Sequence, residues 1–536
     1  MNRFARLLDD LVLSPARGAK LRLLVEHFRA VPDPDRGWAL AALTGALDFR
    51  HAKPAAIRAL ASSRIDPELF ALSYDYVGDL AETVALAWPA AADPAPPPPL
   101  GEIVDALAAA GRDEAMPLLA GWLDRLDPDG RWALLKLVTG GLRVGASGRL
   151  ARTALAEYGA VDLATIEEVW HGLEPPYRTL FDWLDGRGPM PRPDGTLAFR
   201  PMMLAHALDE AERDAIDPAD FAVEWKWDGI RVQFAADGAG AWRLHARSGD
   251  PIGASFPEFA AGAGLRAVLD GELLIGRDGV PAPFADLQQR LNRKAPNRAM
   301  LAGQPAFLRA YDMLFDGEED LRPLPFAARR ARLEAWHAAQ VAGTPLAARI
   351  DLSPCLPVAC REDLVQLRDA SAPLGAEGLM LKRLASAYLA GRPKGAWYKW
   401  KREPLRIDAV LMYAQRGHGR RSSYYSDFTF GCWRADGDLV PVGKAYSGYT
   451  DQDLIRLDRW VRGHAIDRFG PVLVVERALV CELAFDAVQR SGRHKSGLAL
   501  RFPRIARIRW DKPAAEADRV DTLAGLIAPG ETRDGR

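Results

Sequence analysis

At residues 187–196 the chain reads RGPMPRPDGT, and the hydrophobic spacing differs on its two sides. Proline lacks the N–H that helices and sheet ladders need, so this stretch separates two folding regimes. Before it, Leu21, Leu24, Val25 and Phe28 recur at helical spacing, as do Leu134, Leu137 and Val138. After it come short alternating runs: VEWKW, RVQF, RLHAR, AVLDGELLI, FLRAYDMLF, GLMLK and WYKWK. The pattern predicts a helical domain over 1–195 and a strand-rich α+β domain over 198–402.

From Arg406 the strands resume as RIDAVLMYAQ, DFTFGCWR, LVPVGKAY, RALVCELAF and RIARIRW, with one helix-like piece at 451–465. That pattern suits a small closed barrel of the OB type over 403–512, followed by a polar, loosely held tail over 513–536. The fold class is thus multidomain, all-α first and α+β after. At about 150 residues per domain, 536 residues allow three or four. ADPAPPPPL (92–100) reads as a loop between helices. GGLRVGASGR (140–149) is a glycine-rich turn carrying Arg143, Gly145 and Arg149, where backbone N–H groups can approach a phosphate closely.

The N-terminus has no signal-peptide pattern and no apolar run approaches 18 residues, so neither export nor a membrane span is expected. Cys355, Cys360, Cys432 and Cys481 form no CxxC pair, which fits a reducing cytoplasm. The net charge of −1 hides clustering. Residues 382–421 hold eleven Lys/Arg against Glu403 and Asp408, and 490–512 hold eight against Asp511. Aromatic residues interleave with these cations, which favours a phosphate-binding surface over a merely solvated face.

EWKWDGIR (224–231) sets Lys226 between two tryptophans. It reads as two short strands joined by a turn at Asp228-Gly229, and on most strands such a lysine simply points outward. Further polar residues sit on or beside later apolar strands: Arg247, Glu272, Tyr311 with Asp312, Glu377 with Lys382, Lys399 and Lys401. LRFPRIARIRWDK ends the series with Arg501, Arg504, Arg509, Asp511 and Lys512. Taken singly, each has an ordinary structural explanation.

Taken in order, they resemble the motifs of the covalent nucleotidyltransferases, specifically the ATP-dependent DNA ligases of the three-domain bacterial repair type. KWDGIR matches the family's KxDGxR in full, and RWDK matches its RxDK ending. SYDYVGDLAETVALAWP (73–89) and LLKLVTGGLRVGASGRLARTALA (134–156) are similar to the family's helical DNA-binding domain. The resemblance covers nearly the whole chain. It departs at Tyr311, where many relatives have phenylalanine, and at Ala246, where serine is common.

The resemblance implies a role for each position. Lys226 would be the nucleophile that becomes AMP-modified, its amine favoured by desolvation from Trp225 and Trp227 and by nearby cations. Glu224 would accept from the adenine amino group, Tyr311 would stack on the purine, and Arg231 and Arg247 would bind nucleotide or DNA phosphate. Glu272 would hold the ribose and, with Glu377, a Mg²⁺ ion or Mn²⁺ in its place. Lys399 and Lys401 would neutralise the α-phosphate, and Arg504, Arg509, Asp511 and Lys512 would orient the leaving pyrophosphate. Arg143, Gly145 and Arg149 would meet DNA.

The partner implied is nicked duplex DNA, met by a monomer that works beside repair proteins. RNA ligases and capping enzymes share KxDG; capping enzymes lack so large a helical domain in front. The NAD-dependent DNA ligases carry a four-cysteine zinc site that has no counterpart here. A catalytically inactive DNA-binding scaffold would not need Lys226, Glu272, Glu377, Lys399 and Lys401 together.

Overall fold

A computed structural model describes the chain except for residues 90–95, 192–194, 292, 294, 418–423, 493 and 528–536. Parts of both proline-rich stretches and the end of the tail therefore lie outside the described residues. The chain forms two compact units, Met1–Pro201 and Met202–Arg536, of mixed helical and sheet structure.

The first unit is built of helices, each burying one apolar face in a shared core that includes Leu8, Leu24, Phe28, Leu134 and Phe181. The glycine-rich turn joins two of them. Helix Pro128–Thr139 stops at Gly140, whose φ of 68° is open to glycine at little cost. Helix Gly148–Tyr158 starts after Ser147, which accepts from the Leu150 N–H at 3.2 Å. Gly145 has a packing reason of its own: a Cβ there would lie 2.5 Å from the Lys20 ammonium, which donates to the Val144 carbonyl at 2.8 Å. Arg143 and Arg149 are exposed.

In the second unit every expected strand forms. Phe221–Trp227 pairs antiparallel with Ala376–Arg383, which pairs with Trp397–Lys401. Ile230–Asp237 belongs to another sheet, where it pairs with Trp242–Ala246 and with Arg266–Arg277, and the latter pairs with Ala306–Asp316. The two strands of KWDGIR are thus no hairpin, because Asp228-Gly229 carries the chain from one sheet to the next. A Cβ on Gly229 would lie 2.5 Å from the Leu273 carbonyl oxygen, so the crossing requires glycine. Asp270-Gly271 lies inside the strand Arg266–Arg277, as the run AVLDGELLI predicts, at a register shift against Ala306–Asp316.

The last section wraps on one long strand, Leu405–Arg416. It pairs with Tyr425–Trp433 on one edge and with Val472–Val475 and Val480–Phe485 on the other. Helix Asp451–Gly463 packs on this sheet, and Arg504–Arg509 pairs with Val480–Phe485. The strands Ala465–Phe469 and Val472–Val475 and the hairpin Ala487–Arg490/Leu498–Arg501 were not legible in the sequence. The segment after Pro513 is not a loose tail where it is described. Leu523 is fully buried in the sheet's core, and Trp433 Nε1 donates to the Ala514 carbonyl at 2.6 Å. Its sparse apolar residues suffice because Val520, Leu523 and Leu526 fall on one side of a short turn of helix.

Asp312 and Arg329 are both fully buried and form two hydrogen bonds of 2.8 Å between strand Ala306–Asp316 and helix Phe326–Gln340. Removing one charge leaves the other stranded in the core, so Asp312→Ala should cost about 3–5 kcal/mol. Urea unfolding of the full chain, followed by tryptophan fluorescence, checks this; a loss under about 1 kcal/mol would mean the pair is not buried as described.

Candidate active site

Alternation along Phe221–Trp227 sends successive side chains to opposite faces. Val223, Trp225 and Trp227 join an apolar cluster with Tyr398 and Trp400. Lys226 and Glu224 take the other face. The tryptophans therefore hold the strand against the core and do not enclose the ammonium, which corrects the expectation drawn from their adjacency. Trp227 is fixed further by the guanidinium of Arg309, 4.2 Å above its ring, and by its own hydrogen bond to Ser353 at 3.1 Å.

The face with Lys226 borders a cavity of about 460 Å³. Glu224, Lys226, Arg231, Arg247, Glu272, Tyr311, Lys399 and Lys401 all line it, so the expected residues of the central domain converge from five strands and the segment after a sixth. Glu377 borders an adjoining cavity of about 210 Å³ and reaches back to Lys226.

The shortest contact in the site joins Lys226 Nζ to Glu377 Oε2 at 2.5 Å. Lys401 Nζ lies 3.2 Å from the same oxygen. A register shift between Ala376 and Leu379 aims Glu377 at both lysines, and Gly378 permits it. A Cβ on Gly378 would lie 2.1 Å from the Trp400 carbonyl oxygen, and its φ is +146°. Burial would raise the Glu377 carboxyl, but the ammonium groups of Lys226 and Lys401 overcome it and hold it down at about 2. Glu272 shows the opposite outcome. Burial pushes it up to about 8 against the pull of Lys226 and Arg231. Burial also lowers Lys399, helped by the neighbouring charges of Lys226, Arg392, Lys401 and Arg247.

Glu224 is 1 % exposed and receives Lys382 Nζ at 3.0 Å, with Arg330 4.0 Å away. The Lys382 ammonium also stands 4.0 Å from the centre of the Tyr311 ring. Arg231 departs from expectation. Its guanidinium makes two hydrogen bonds to the buried Asp270, at 3.0 and 2.6 Å, and others to the Met203 carbonyl at 2.6 Å and the Tyr388 hydroxyl at 3.3 Å. With its donors so committed, it braces the cavity wall instead of presenting a free fork to a phosphate.

Lys382, Arg330, Arg392, Asp270 and Tyr388 were not assigned from the sequence. Lys382 had a signal, as the only charge in the apolar run GLMLK. Arg330 had none, because only packing of helix Phe326–Gln340 brings it to Glu224.

The C-terminal cations do not reach the cavity in this arrangement. Arg509 and Lys512 both bind Asp408, at 3.1 and 2.8 Å, and Arg509 also binds Asp511 at 3.0 Å. Arg504 faces Asp486 at 3.5 Å. The residues that do meet the central domain are Arg501, whose guanidinium grips both oxygens of Asp228, and Asp486, which lies 3.2 Å from Lys401. No helix among the described residues is long and apolar enough to cross a membrane.

Comparison with known proteins agrees with this geometry. Residues 202–401 match the model of the ATP dependent DNA ligase domain, and 421–512 match that of the ATP dependent DNA ligase C terminal region. A probable DNA ligase of Koribacter versatilis is 34% identical over 414 residues, covering 72% of this chain and 70% of the relative. A probable DNA ligase of Streptomyces avermitilis is 30% identical over 98% of both chains. A solved structure titled "Pmar-Lig_Pre." shares the fold, with a TM-score of 0.62 at 17% identity over 95% of this chain and 99% of that one. A cavity lined by the KWDGIR lysine and its expected neighbours, on a chain matched by both family models, makes this protein a member of the ATP-dependent DNA ligases.

Proposed function

We propose that the chain seals nicks bearing a 3′-hydroxyl and a 5′-phosphate in duplex DNA, with Lys226 carrying AMP from ATP to the DNA. The observation that carries this reading is the pairing of Lys226 with Glu377 at 2.5 Å on the wall of a cavity ringed by cations. In the first step Lys226 Nζ sheds a proton and attacks the α-phosphate. An N–P bond forms and the P–O bond to pyrophosphate breaks. In the second step a 5′-phosphate oxygen displaces the amine, and in the third the 3′-hydroxyl displaces AMP. Burial would raise the Glu377 carboxyl, but the ammonium groups of Lys226 and Lys401 hold it in its charged form. It orients the amine while the proton passes to solvent. Lys399 and Lys401 stand where they can offset charge on the α-phosphate.

Glu224 would meet the adenine amino group, with Lys382 and Arg330 compensating its buried charge, and Tyr311 would stack on the base. Glu272 and Glu377 would hold the Mg²⁺ ion, or Mn²⁺ in its place. A carboxyl pushed up to about 8 by burial is one that a cation would relieve, which fits. Among the described residues no three His, Cys, Asp or Glu side chains group as a metal site, so the remaining ligands would be triphosphate oxygens and water. The ion would supply positive charge to the triphosphate.

The domains proposed are a helical DNA-binding domain over 1–195, an adenylation domain over 198–402 and an OB-fold over 403–512. Arg504, Arg509, Asp511 and Lys512 would reach pyrophosphate only if the barrel turns about a hinge near Arg402–Pro404. Arg143 and Arg149 would contact phosphates, with Gly145 opening the turn between them. The protein would act as a monomer in the cytoplasm, in DNA repair beside partner proteins.

Incubation with α-labelled ATP and Mg²⁺ should label the protein, and Lys226→Ala should abolish the label; a labelled variant would sink the assignment. Lys226→Arg should fail too, since guanidinium does not lose its proton at working pH.

The barrel residues should act in one step only. Lys512→Ala should slow self-adenylation by about 10²-fold or more, as loss of a charge-stabilising donor does, and Asp511→Ala should slow it by releasing Arg509, which it holds at 3.0 Å; both should still seal a nick that already carries its 5′-AMP. Single-turnover kinetics on the two substrates decides; equal losses would refute a moving barrel.

Replacing Arg143 and Arg149 with alanine should weaken binding of all nicked duplexes alike. The slope of log affinity against log salt should flatten by about two. An unchanged slope would place the DNA surface elsewhere.

A further inference from the structure

Lys399 and Lys401 project from the same face of strand Trp397–Lys401, yet they are in different electrostatic states. Lys399 forms no ion pair among the described residues and faces the 460 Å³ cavity. Lys401 is shared by two carboxylates from different parts of the unit, Glu377 and Asp486, each at 3.2 Å. Asp486 immediately precedes the barrel hairpin Ala487–Arg490/Leu498–Arg501 and closes one side of the 210 Å³ cavity next to Lys226 and Glu377. Its other partner, Arg504, belongs to the barrel and is farther away, at 3.5 Å. Nothing else from the barrel touches a lysine of the nucleotide cavity among the ion pairs described.

We propose that Asp486 is a positioning residue that draws Lys401 toward the barrel in the arrangement seen here, and releases it to the nucleotide when the barrel moves away. The proposal rests on the reading of Lys401 as a phosphate-facing group and of the barrel as mobile. In this arrangement Arg504, Arg509 and Lys512 are engaged with acids of the barrel itself, so it is not the one in which they attend a triphosphate. It corresponds to the DNA steps, when no pyrophosphate is present. Tying Lys401 to Asp486 then does two things. It helps hold the barrel beside the nick-sealing site, and it reduces the positive charge that would otherwise retain AMP there. When the barrel leaves, Asp486 leaves with it, and Lys401 regains its full charge for ATP. The position of the barrel thereby sets the charge of the cavity.

The experiment is single-turnover kinetics of the full-length enzyme and Asp486→Asn, on ATP and on a nick already carrying 5′-AMP. Sealing of the adenylated nick should slow about three- to tenfold, the size expected for a half-exposed charge pair at a domain contact, while self-adenylation should not slow. Asp486→Glu should restore sealing. In a Lys401→Ala background the Asn substitution should add nothing, because its effect passes through that lysine. Equal losses on both substrates, no loss on either, or full additivity with Lys401→Ala would each overturn the proposal. A wild-type enzyme that cannot seal the adenylated nick, or a Lys226→Ala protein that still takes label, would instead overturn the underlying functional reading.

Discussion

The chain crosses from one sheet to another at Asp228-Gly229, and the site depends on that crossing. Lys226 ends a strand of the first sheet and Arg231 starts a strand of the second, so one motif of six residues supplies both walls of the cavity. The crossing works only because residue 229 has no side chain to meet the Leu273 carbonyl. Trp225 and Trp227 on one side, and the Arg231–Asp270 pair on the other, lock the two strands into their cores. A reactive lysine on a loop would wander; one on a pinned strand end is held in place before any ligand arrives.

Charge compensation is the second constraint. The cavity gathers Lys226, Lys382, Lys399 and Lys401 within a wall that also holds the buried Glu224 and the half-buried Glu272. Buried charges of one sign cannot be collected without partners. Lys226 and Lys401 share Glu377, and Lys382 faces Glu224. Among the described residues Glu272 has no such ion pair, and desolvation favours its protonated form. The site as it stands is balanced by protein carboxylates in the places where a polyphosphate would bring its own negative charge.

Much of this was legible from residue order. Strand alternation sets Glu224, Lys226, Arg231, Arg247, Glu272, Tyr311, Lys399 and Lys401 along one cavity, with Glu377 at its edge, whereas Arg504, Arg509, Asp511 and Lys512 do not reach it. Two readings changed because neighbours in the chain need not be neighbours in space: Asp228-Gly229 joins two sheets and closes no hairpin. Trp225 and Trp227 flank Lys226 in the chain and face away from it in space. Arg231, expected to bind nucleotide or DNA phosphate, lines the cavity but also donates to Asp270, the Met203 carbonyl and Tyr388. The segment after Pro513 differs for another reason: a handful of apolar residues on one side of a short helix anchors it to the core of the last sheet.

The sequence by itself determined the order of the helical and strand-rich sections and the KWDGIR motif that singles out Lys226 among the lysines. Those follow from period, composition and motif, which are local properties of the chain. Only the tertiary structure decided which carboxylate meets which lysine. Glu377 reaches Lys226 across 151 positions of sequence through a bulge at Gly378, and Arg501 reaches Asp228 across 273. Such pairings depend on how the sheets pack together, and the spacing of residues along a strand carries no information about what will be set against it.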